Sequence, residues 1–268
     1  MDVVRGRFML SPGAEIAVEI DPRTVDREMI GRLVAAGMNR ASLGVQTFDP
    51  VVQRAINRVQ DFNCTVNAVS ALRESGVSGI NLDLIYGLPK QTIAACMNTV
   101  ERIGALAPDR LAVFGYAHVP WAKSHQRMID EASLPGEQAR ADQFAAIVRG
   151  LADLGYVRVG LDHFARPTDA LARSLVDGTL RRNFQGYTTD QSDVLIGLGA
   201  SAISQVPQGY VQNTVSIADY SRKVTAAALA AATGIACLCR RPPASRRDRA
   251  NHVLPAGRPC GGWPATRL

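Results

Sequence analysis

The first 118 residues alternate between short apolar runs and segments with a helical stripe of apolar side chains. Four runs have the composition of strands and cover Glu15–Pro22, Arg40–Phe48, Ile80–Ile85 and Arg110–His118. The helices predicted between them cover Asp26–Ala36, Thr65–Ser75 and Gln91–Leu106. Apolar residues recur there at helical spacing. Because strands that alternate with helices form a parallel sheet, the pattern predicts an α/β fold.

One charged residue, Asp83, lies inside the third predicted strand, in the stretch GINLDLIYGLPKQT. A buried carboxylate is unfavourable unless it is paired or faces a ligand, so structural and ligand-binding roles are both open. Glu19, Gln46, Asp83 and Ala117 each lie toward the carboxyl end of a strand, roughly 30 residues apart. Ligands bind at these ends in open and barrel sheets alike. The topology therefore favours the ligand-facing role.

The pattern is less regular elsewhere. A polar loop with Arg54 and Arg58 is predicted after the second strand, and a long helix is predicted at Leu134–Leu154. The further predictions are a strand and loop at Tyr156–Pro167, a polar loop at Arg181–Thr189, a glycine-rich run at Asp193–Ser204, and a strand and helix start at Tyr210–Val224. Gly197 and Gly199 permit close backbone approach, for which packing of a strand turn is favoured over ligand contact.

The net charge of +6 belongs to the end of the chain. From Ile235 onward there are seven arginines, no lysine and one acid, so residues 1–234 carry no net charge. The basic balance therefore gives no argument for nucleic-acid binding by the body of the protein. Residues 225–268 are predicted to be disordered, because they lack apolar periodicity. Their wealth of Arg, Ala, Pro and Gly suggests the hypothesis of an out-of-frame translation.

The five cysteines do not form a disulfide or zinc pattern. They are odd in number and irregularly spaced, at Cys64, Cys96, Cys237, Cys239 and Cys260. The spacing of the last three with His252 matches no standard zinc site, so unpaired thiols are expected. The sequence also lacks a signal-peptide pattern and a long apolar run, which predicts a cytoplasmic protein without a membrane partner.

Several motifs, in order, resemble the oxygen-independent coproporphyrinogen III oxidases, which are radical S-adenosylmethionine (SAM) enzymes of haem synthesis. The resemblance runs from about Glu15 to Lys223 and rests on EIAVEIDPR, SLGVQTFDPVVQRAINRVQ, INLDLIYGLPKQT, DRLAVFGYAHVP, LDHFARPTDALA, RNFQGYTT and GLGASAIS. GLPKQT alone indicates only the wider superfamily. DHFARP and NFQGYTT point to the oxidase rather than to its haem-chaperone relative.

The resemblance implies a partial (β/α) radical-SAM barrel with a C-terminal α+β extension. It divides the chain into a partial barrel at 1–125, a family-specific region at 126–224 and the tail at 225–268. It also implies a [4Fe–4S] cluster, two SAM molecules, coproporphyrinogen III as substrate, an electron donor and a monomer. In the family, a SAM-derived radical takes hydrogen from the β-carbon of a propionate, which loses CO2 to become a vinyl group. Two propionates react, giving protoporphyrinogen IX.

By motif match, the resemblance implies two sets of SAM contacts. Glu19, Ala117 and Ile203 correspond to contacts of the first SAM. Gln46, Arg58 and Asp83 correspond to contacts of the second. Arg166 and Arg182 are candidate clamps for substrate carboxylates, with an ordinary surface role equally open.

One departure from the family is expected to matter. The family holds its cluster with a CxxxCxxC motif, which is absent here, as is the glycine-rich SAM motif. The chain is therefore expected to be a fragment without the cluster-binding part and inactive alone. Two alternatives stay open, namely a non-catalytic haem- or porphyrin-binding protein and a conventional barrel enzyme that uses Asp83 and Glu19 as acid and base.

Overall fold

The computed structural model describes residues 1–236. They fall into two compact units, which meet in sequence between Ala172 and Arg173. The boundary predicted at residue 125 rests on family resemblance and stays a prediction. The predictions about Cys237, Cys239, Cys260 and His252 lie outside the described residues.

The first unit consists of strands that alternate with helices, as predicted. In order, its elements are α1 (Asp2–Arg5), β1 (Ala17–Ile20), α2 (Arg27–Ala35), β2 (Arg40–Gln46), α3 (Pro50–Ala55), α4 (Phe62–Glu74), β3 (Gly79–Tyr86), α5 (Ile93–Leu106), β4 (Arg110–Gly115), α6 (Glu137–Asp153), β5 (Val157–Val159) and β6 (His163–Ala165). Helix α7 (Ala170–Val176) then crosses into the second unit.

Six strands form one sheet in the order β1-β2-β3-β4-β6-β5. Strands β1 to β4 are parallel neighbours in chain order, and β6 pairs antiparallel with both β4 and β5. The prediction of an α/β fold with a parallel sheet is therefore confirmed. Consecutive parallel strands of this kind bring their carboxyl ends to one edge.

One face of this sheet carries the hydrophobic core. Alternate residues of β2, β3 and β4 point to that face, among them the fully buried Leu43, Leu82 and Leu111. Leu72 and Ile103 pack on the same cluster from α4 and α5. Because successive side chains of a strand alternate between faces, the opposite face is left for polar residues.

Short polar side chains fix where the helices begin. The carboxylates of Asp26, Asp49 and Asp61 accept backbone N–H bonds in the first turns of α2, α3 and α4. The Thr92 hydroxyl does the same for α5, accepting from the Ala95 N–H at 3.1 Å. Each cap satisfies a donor that has no partner within its own helix.

The second unit is built around two small antiparallel sheets. Its elements are β7 (Arg181–Asn183), β8 (Gly186–Thr188), β9 (Ile203–Val206), β10 (Gly209–Asn213), α8 (Ile217–Thr225) and β11 (Ala231–Ala236). Strands β7 and β8 pair as a hairpin, and the other sheet has the order β11-β10-β9. A side chain at Gly197 would come within 2.7 Å of the Ile203 carbonyl oxygen, which supports the packing role expected for this glycine.

The structure corrects four local predictions. The loop after β2 contains the helix Pro50–Ala55, and Tyr156–Pro167 forms two strands joined at Gly160, whose φ is 67°. The segment Arg181–Thr189 contains a hairpin rather than only a loop. The prediction of disorder from residue 225 is wrong for Ala231–Ala236, because these residues pair with β10. Across residues 1–236, no helix combines the length and apolarity needed to cross a bilayer.

Candidate functional site

The polar face of the first unit's sheet carries a row of side chains that face one another across neighbouring strands. Glu19 of β1 is the cross-strand partner of Ser42 of β2, and Ser42 is the partner of Asn81 of β3. Asp83 follows Asn81 by two residues and therefore shares its face. The register thus places two carboxylates and two neutral hydrogen-bonding groups in one patch.

Asp83 is half-buried and held by two neutral donors. The Ser42 hydroxyl donates to Oδ2 at 3.1 Å, and the Asn81 amide donates to Oδ1 at 2.8 Å. Burial raises the pKa of Asp83 above its ordinary value, and these hydrogen bonds and the nearby His163 only partly oppose the rise. In this environment the carboxylate keeps lone pairs that can accept further hydrogen bonds, and it is protonated more readily than an ordinary aspartate.

Glu19 lies beside this network at the carboxyl end of β1. Loss of water around the carboxyl group raises its pKa, the charge of Asp83 raises it further, and the Ser42 hydroxyl opposes the rise. Glu19 is nevertheless exposed over much of its surface. Asp83 therefore affects the pKa of Glu19, while Glu19 remains accessible to a ligand. Such coupled acids are typical of a functional site.

The second predicted set converges on Gly44. Asp83 is the cross-strand partner of Gly44, where the register between β2 and β3 shifts. A side chain at Gly44 would lie 3.1 Å from the Gln46 amide nitrogen and 3.3 Å from an Arg58 guanidinium nitrogen. Gln46 has a left-handed φ of 66°, so strand β2 ends in an uncommon conformation there. Gln46, Arg58 and Asp83 therefore surround one residue.

Arg58 is oriented by a residue that the sequence argument missed. Its guanidinium donates to the Gly44 carbonyl at 2.7 Å and to Asp21 at 3.3 Å. Its Nε–H is buried and has no acceptor among the described residues. A buried guanidinium donor without an acceptor suits a ligand carboxylate or another anionic group. The arrangement therefore fits the carboxylate of an amino-acid moiety such as that of SAM.

Ala117 lies in a loop that follows β4 and is braced by two side chains. The Gln126 amide donates to the Ala117 carbonyl at 3.0 Å and accepts from the Val119 N–H at 2.6 Å. Arg140 of α6 donates to the neighbouring Tyr116 carbonyl at 2.8 Å. These contacts hold the exposed residue Ala117 in a fixed conformation near the carboxyl end of the sheet.

Three other predicted residues belong to other elements of the chain. Ile203 is the first residue of β9 in the second unit, and its role stays a prediction. Arg166 donates to the Pro108 carbonyl, at the amino end of β4, and stacks on the Tyr156 ring. These contacts favour a structural role for Arg166. Arg182 lies over the Tyr187 ring within the β7–β8 hairpin.

The residues missed by sequence reasoning are Asp21, Ser42, Asn81 and His163. Ser42 and Asn81 are polar residues at even spacing in otherwise apolar strands, which marks them as facing away from the core. Asp21 follows β1 directly, in the motif that contains Glu19. His163 belongs to β6, which joins β4 through an antiparallel pairing that local sequence does not reveal.

The cysteines of the described residues do not fit a [4Fe–4S] cluster. Cys96 is buried, and burial raises the pKa of its thiol to about 11. The half-buried Cys64 donates to the Pro22 carbonyl at 2.9 Å. No group of three or more potential metal ligands occurs within residues 1–236. Since cluster ligation needs several converging thiolates, we assign no step through a cluster here.

Comparison with known proteins agrees with the resemblance in the motifs. Residues 3–103 match the family model described as the radical SAM superfamily. The oxygen-independent coproporphyrinogen III oxidase of Bradyrhizobium diazoefficiens is 58% identical over 234 residues, which cover 87% of this chain and 52% of that protein. Its counterpart in Paracoccus denitrificans is 51% identical over 207 residues, covering 77% and 46%.

A solved structure agrees over the same extent. The coproporphyrinogen III oxidase from Escherichia coli, described as a radical SAM enzyme, is 42% identical and superimposes with a TM-score of 0.85. The match covers 88% of this chain and 54% of that one, so the chain spans about half the length of the relatives it matches. On motifs, sequence identity and fold together, the chain belongs to the oxygen-independent coproporphyrinogen III oxidase family of the radical SAM superfamily.

Proposed function

We propose that this chain contributes SAM-binding residues to the conversion of coproporphyrinogen III into protoporphyrinogen IX, in which two propionates lose CO2 and become vinyl groups. The observation that carries the proposal is the convergence of Glu19, Asp83, Gln46 and Arg58 at the carboxyl end of one parallel sheet. This is the edge at which α/β folds bind their ligands.

The residue types suit two SAM molecules, as the motifs imply. Glu19 and Ala117 of the first unit are assigned to the first, and Gln46, Arg58 and Asp83 are assigned to the second. Carboxylates accept hydrogen bonds from ribose hydroxyls or an amino group, and the guanidinium binds a carboxylate. When bound and cleaved at its C–S bond by one electron from the donor, SAM would supply a 5′-deoxyadenosyl radical, which takes a hydrogen atom from the propionate β-carbon.

The substrate and partners are part of the same proposal. The substrate is coproporphyrinogen III, an electron donor serves the reaction, and the chain acts as a monomer. The relatives reported above carry the oxidase name, which favours this function over haem binding of the chaperone type. The residues around Asp83 bind and orient SAM in this scheme, and none is assigned to proton transfer.

The test is calorimetric titration of SAM into the full chain, with two matched arginine variants. Arg58→Gln removes the guanidinium that points at Gly44, whereas Arg54→Gln changes an exposed arginine of α3. Loss of one charge-assisted interaction predicts an affinity about tenfold or more lower for Arg58→Gln. Arg54→Gln is expected to bind as the wild type does. Circular dichroism checks that both variants fold.

Two outcomes would overturn the proposal. One is the absence of SAM binding by the wild-type chain at millimolar concentration. The other is equal affinity of the two arginine variants. A parallel titration with hemin separates the alternative function, because saturable tight hemin binding without SAM binding would favour the haem-binding protein.

A further inference from the structure

Ser42 lies between the two carboxylates of the site. It faces Glu19 across the β1–β2 pair and Asn81 across the β2–β3 pair. Its hydroxyl donates to Asp83 Oδ2 at 3.1 Å and accepts from the Asn81 amide at 2.8 Å. Its cross-strand neighbour Glu19 lies on the same face, and in this structure the Ser42 hydroxyl donates to Asp83. Ser42 therefore lies next to an acid from each predicted SAM set.

A hydroxyl carries a single proton and can donate to only one acceptor at a time. The Asn81 amide already occupies an acceptor position of the Ser42 oxygen, which limits how the hydroxyl rotates. Ser42 is only 8% exposed, so water has little access to replace the lost donor. Because the hydroxyl donates to Asp83 in this structure, it has no proton left for Glu19, and a rotation toward Glu19 would release Asp83.

We infer that the Ser42 hydroxyl is a shared donor that couples Glu19 and Asp83, so that occupation of one carboxylate by a ligand alters binding at the other. A ligand hydroxyl that donates to Glu19 leaves Ser42 free to donate to Asp83 and to hold it in place. Such coupling is reciprocal by thermodynamic linkage. This consequence for ligands rests on the proposed function, whereas the coupling of the carboxylates does not.

Other charged groups face the same patch and must be separated from the effect of Ser42. His163 approaches Asp83 from β6, and Arg58 approaches Gly44 from the loop after α3. Arg110 is the cross-strand partner of Asn81, but its guanidinium binds Asp169 at 2.8 Å. These groups act on each carboxylate through charge, which the removal of a serine hydroxyl leaves in place.

A double-mutant cycle separates the shared donor from the direct charge repulsion. The carboxyl carbons of Glu19 and Asp83 are titrated by NMR in the full chain for the wild type, Glu19→Gln, Ser42→Ala and the double variant. Glu19→Gln should lower the Asp83 midpoint in both backgrounds, because it removes a like charge. The decrease should be about half a pH unit or more larger when Ser42 is present. Equal decreases in the two backgrounds would overturn the inference.

A matched control and a second measurement protect this result. Ser78→Ala removes a hydroxyl that donates to the Asn39 carbonyl, away from the carboxylates, and should leave both midpoints unchanged. If Ser42→Ala does not fold, the effect of Glu19→Gln is measured at low salt and at about 1 M salt, because salt screens charge repulsion far more than a hydrogen bond. A large remaining shift supports the inference, and complete loss of the shift opposes it.

SAM titration of the same variants distinguishes this inference from the proposed function. If the cycle shows coupling but SAM does not bind, the proposed function fails and the shared donor stands. If SAM binds but the cycle shows no coupling, the inference alone fails. If the proposed function and the inference both hold, SAM should shift the titration midpoints of both Glu19 and Asp83 in the wild type. In Ser42→Ala, the shift of one acid should no longer depend on the state of the other.

Discussion

Replacement of Asp169 by Asn tests how the sheet beneath the site is held together. Asp169, Arg40, Arg110 and Glu15 form an ion cluster at the amino end of the strands, which we name the basal ion cluster. Asp169 contacts Arg110 Nε at 2.8 Å and Arg40 at 3.6 Å, and its side chain is only 7% exposed. Asp169→Asn keeps the shape of the side chain and removes the charge.

The structure gives a magnitude for this change. Removing one partner of a buried ion pair typically costs about 3–5 kcal/mol, because the other charge is left uncompensated. The lower end applies, since Glu15 still contacts Arg40 at 2.7 Å. Arg40 Nη1 and Arg110 Nη2 are already buried without a partner, so the cluster has no spare acceptor within the described residues. We therefore expect a loss of about 3 kcal/mol, or a fall in Tm of about 6–12 °C.

Urea and thermal unfolding, followed by circular dichroism, measure this loss. The matched control is Glu74→Gln, which breaks the exposed ion pair between Arg27 and Glu74 and should cause no measurable change. An unchanged urea dependence of the unfolding free energy would show that the two-state comparison is valid. If Asp169→Asn were as stable as Glu74→Gln, the basal ion cluster would not hold the sheet together.

Two further predictions concern acids and thiols of the first unit. Burial raises the pKa of Asp83 above its ordinary value of 3.8, so ionisation of Asp83 destabilises the folded chain at pH values above the folded-state pKa and has no such cost below the pKa of the unfolded chain. Asp83→Asn should therefore unfold at a higher urea concentration than the wild type near pH 7. A difference in stability between the two proteins that does not shrink as the pH falls would contradict this prediction. Burial raises the pKa of the Cys96 thiol to about 11, so Cys96 should react with iodoacetamide more slowly than the half-buried Cys64. Peptide mapping after treatment of the native chain near pH 7.5 measures both labelling rates. Equal rates in the folded chain would contradict the burial of Cys96.

Much of the first unit could be predicted because its signals are local. Apolar runs that alternate with stretches of helical apolar spacing identified β1 to β4 and the helices α2, α4 and α5 between them. The helix Pro50–Ala55 was missed because it is short, although Asp49 followed by Pro50 is a helix-start signal. The pairing of β6 with β4 was missed because it joins segments about 50 residues apart, and no local pattern encodes such a contact.

The candidate site was predictable in position but not in detail. Asp83 stands out because it is a lone charge in an apolar strand, and topology places Glu19 and Gln46 at the same edge. The roles of Ser42 and Asn81 depend on the register between strands, which decides what each side chain faces. A shift of one residue would turn Ser42 into the core, so its place between two acids is visible only once the sheet is formed.

The two ends of one sheet treat their acids differently, and this contrast is an argument for function. At the amino end, Asp169 is paired with two arginines, as expected for a buried acid that serves the fold. At the carboxyl end, Asp83 receives hydrogen bonds from the neutral Ser42 and Asn81, and its pKa rises. Arg58 lies nearby but donates to Gly44 and Asp21. Unlike Asp169, Asp83 forms no arginine ion pair within residues 1–236, and its pKa stays raised although His163 is near. Such an environment is typical of a carboxylate that serves a ligand rather than the fold.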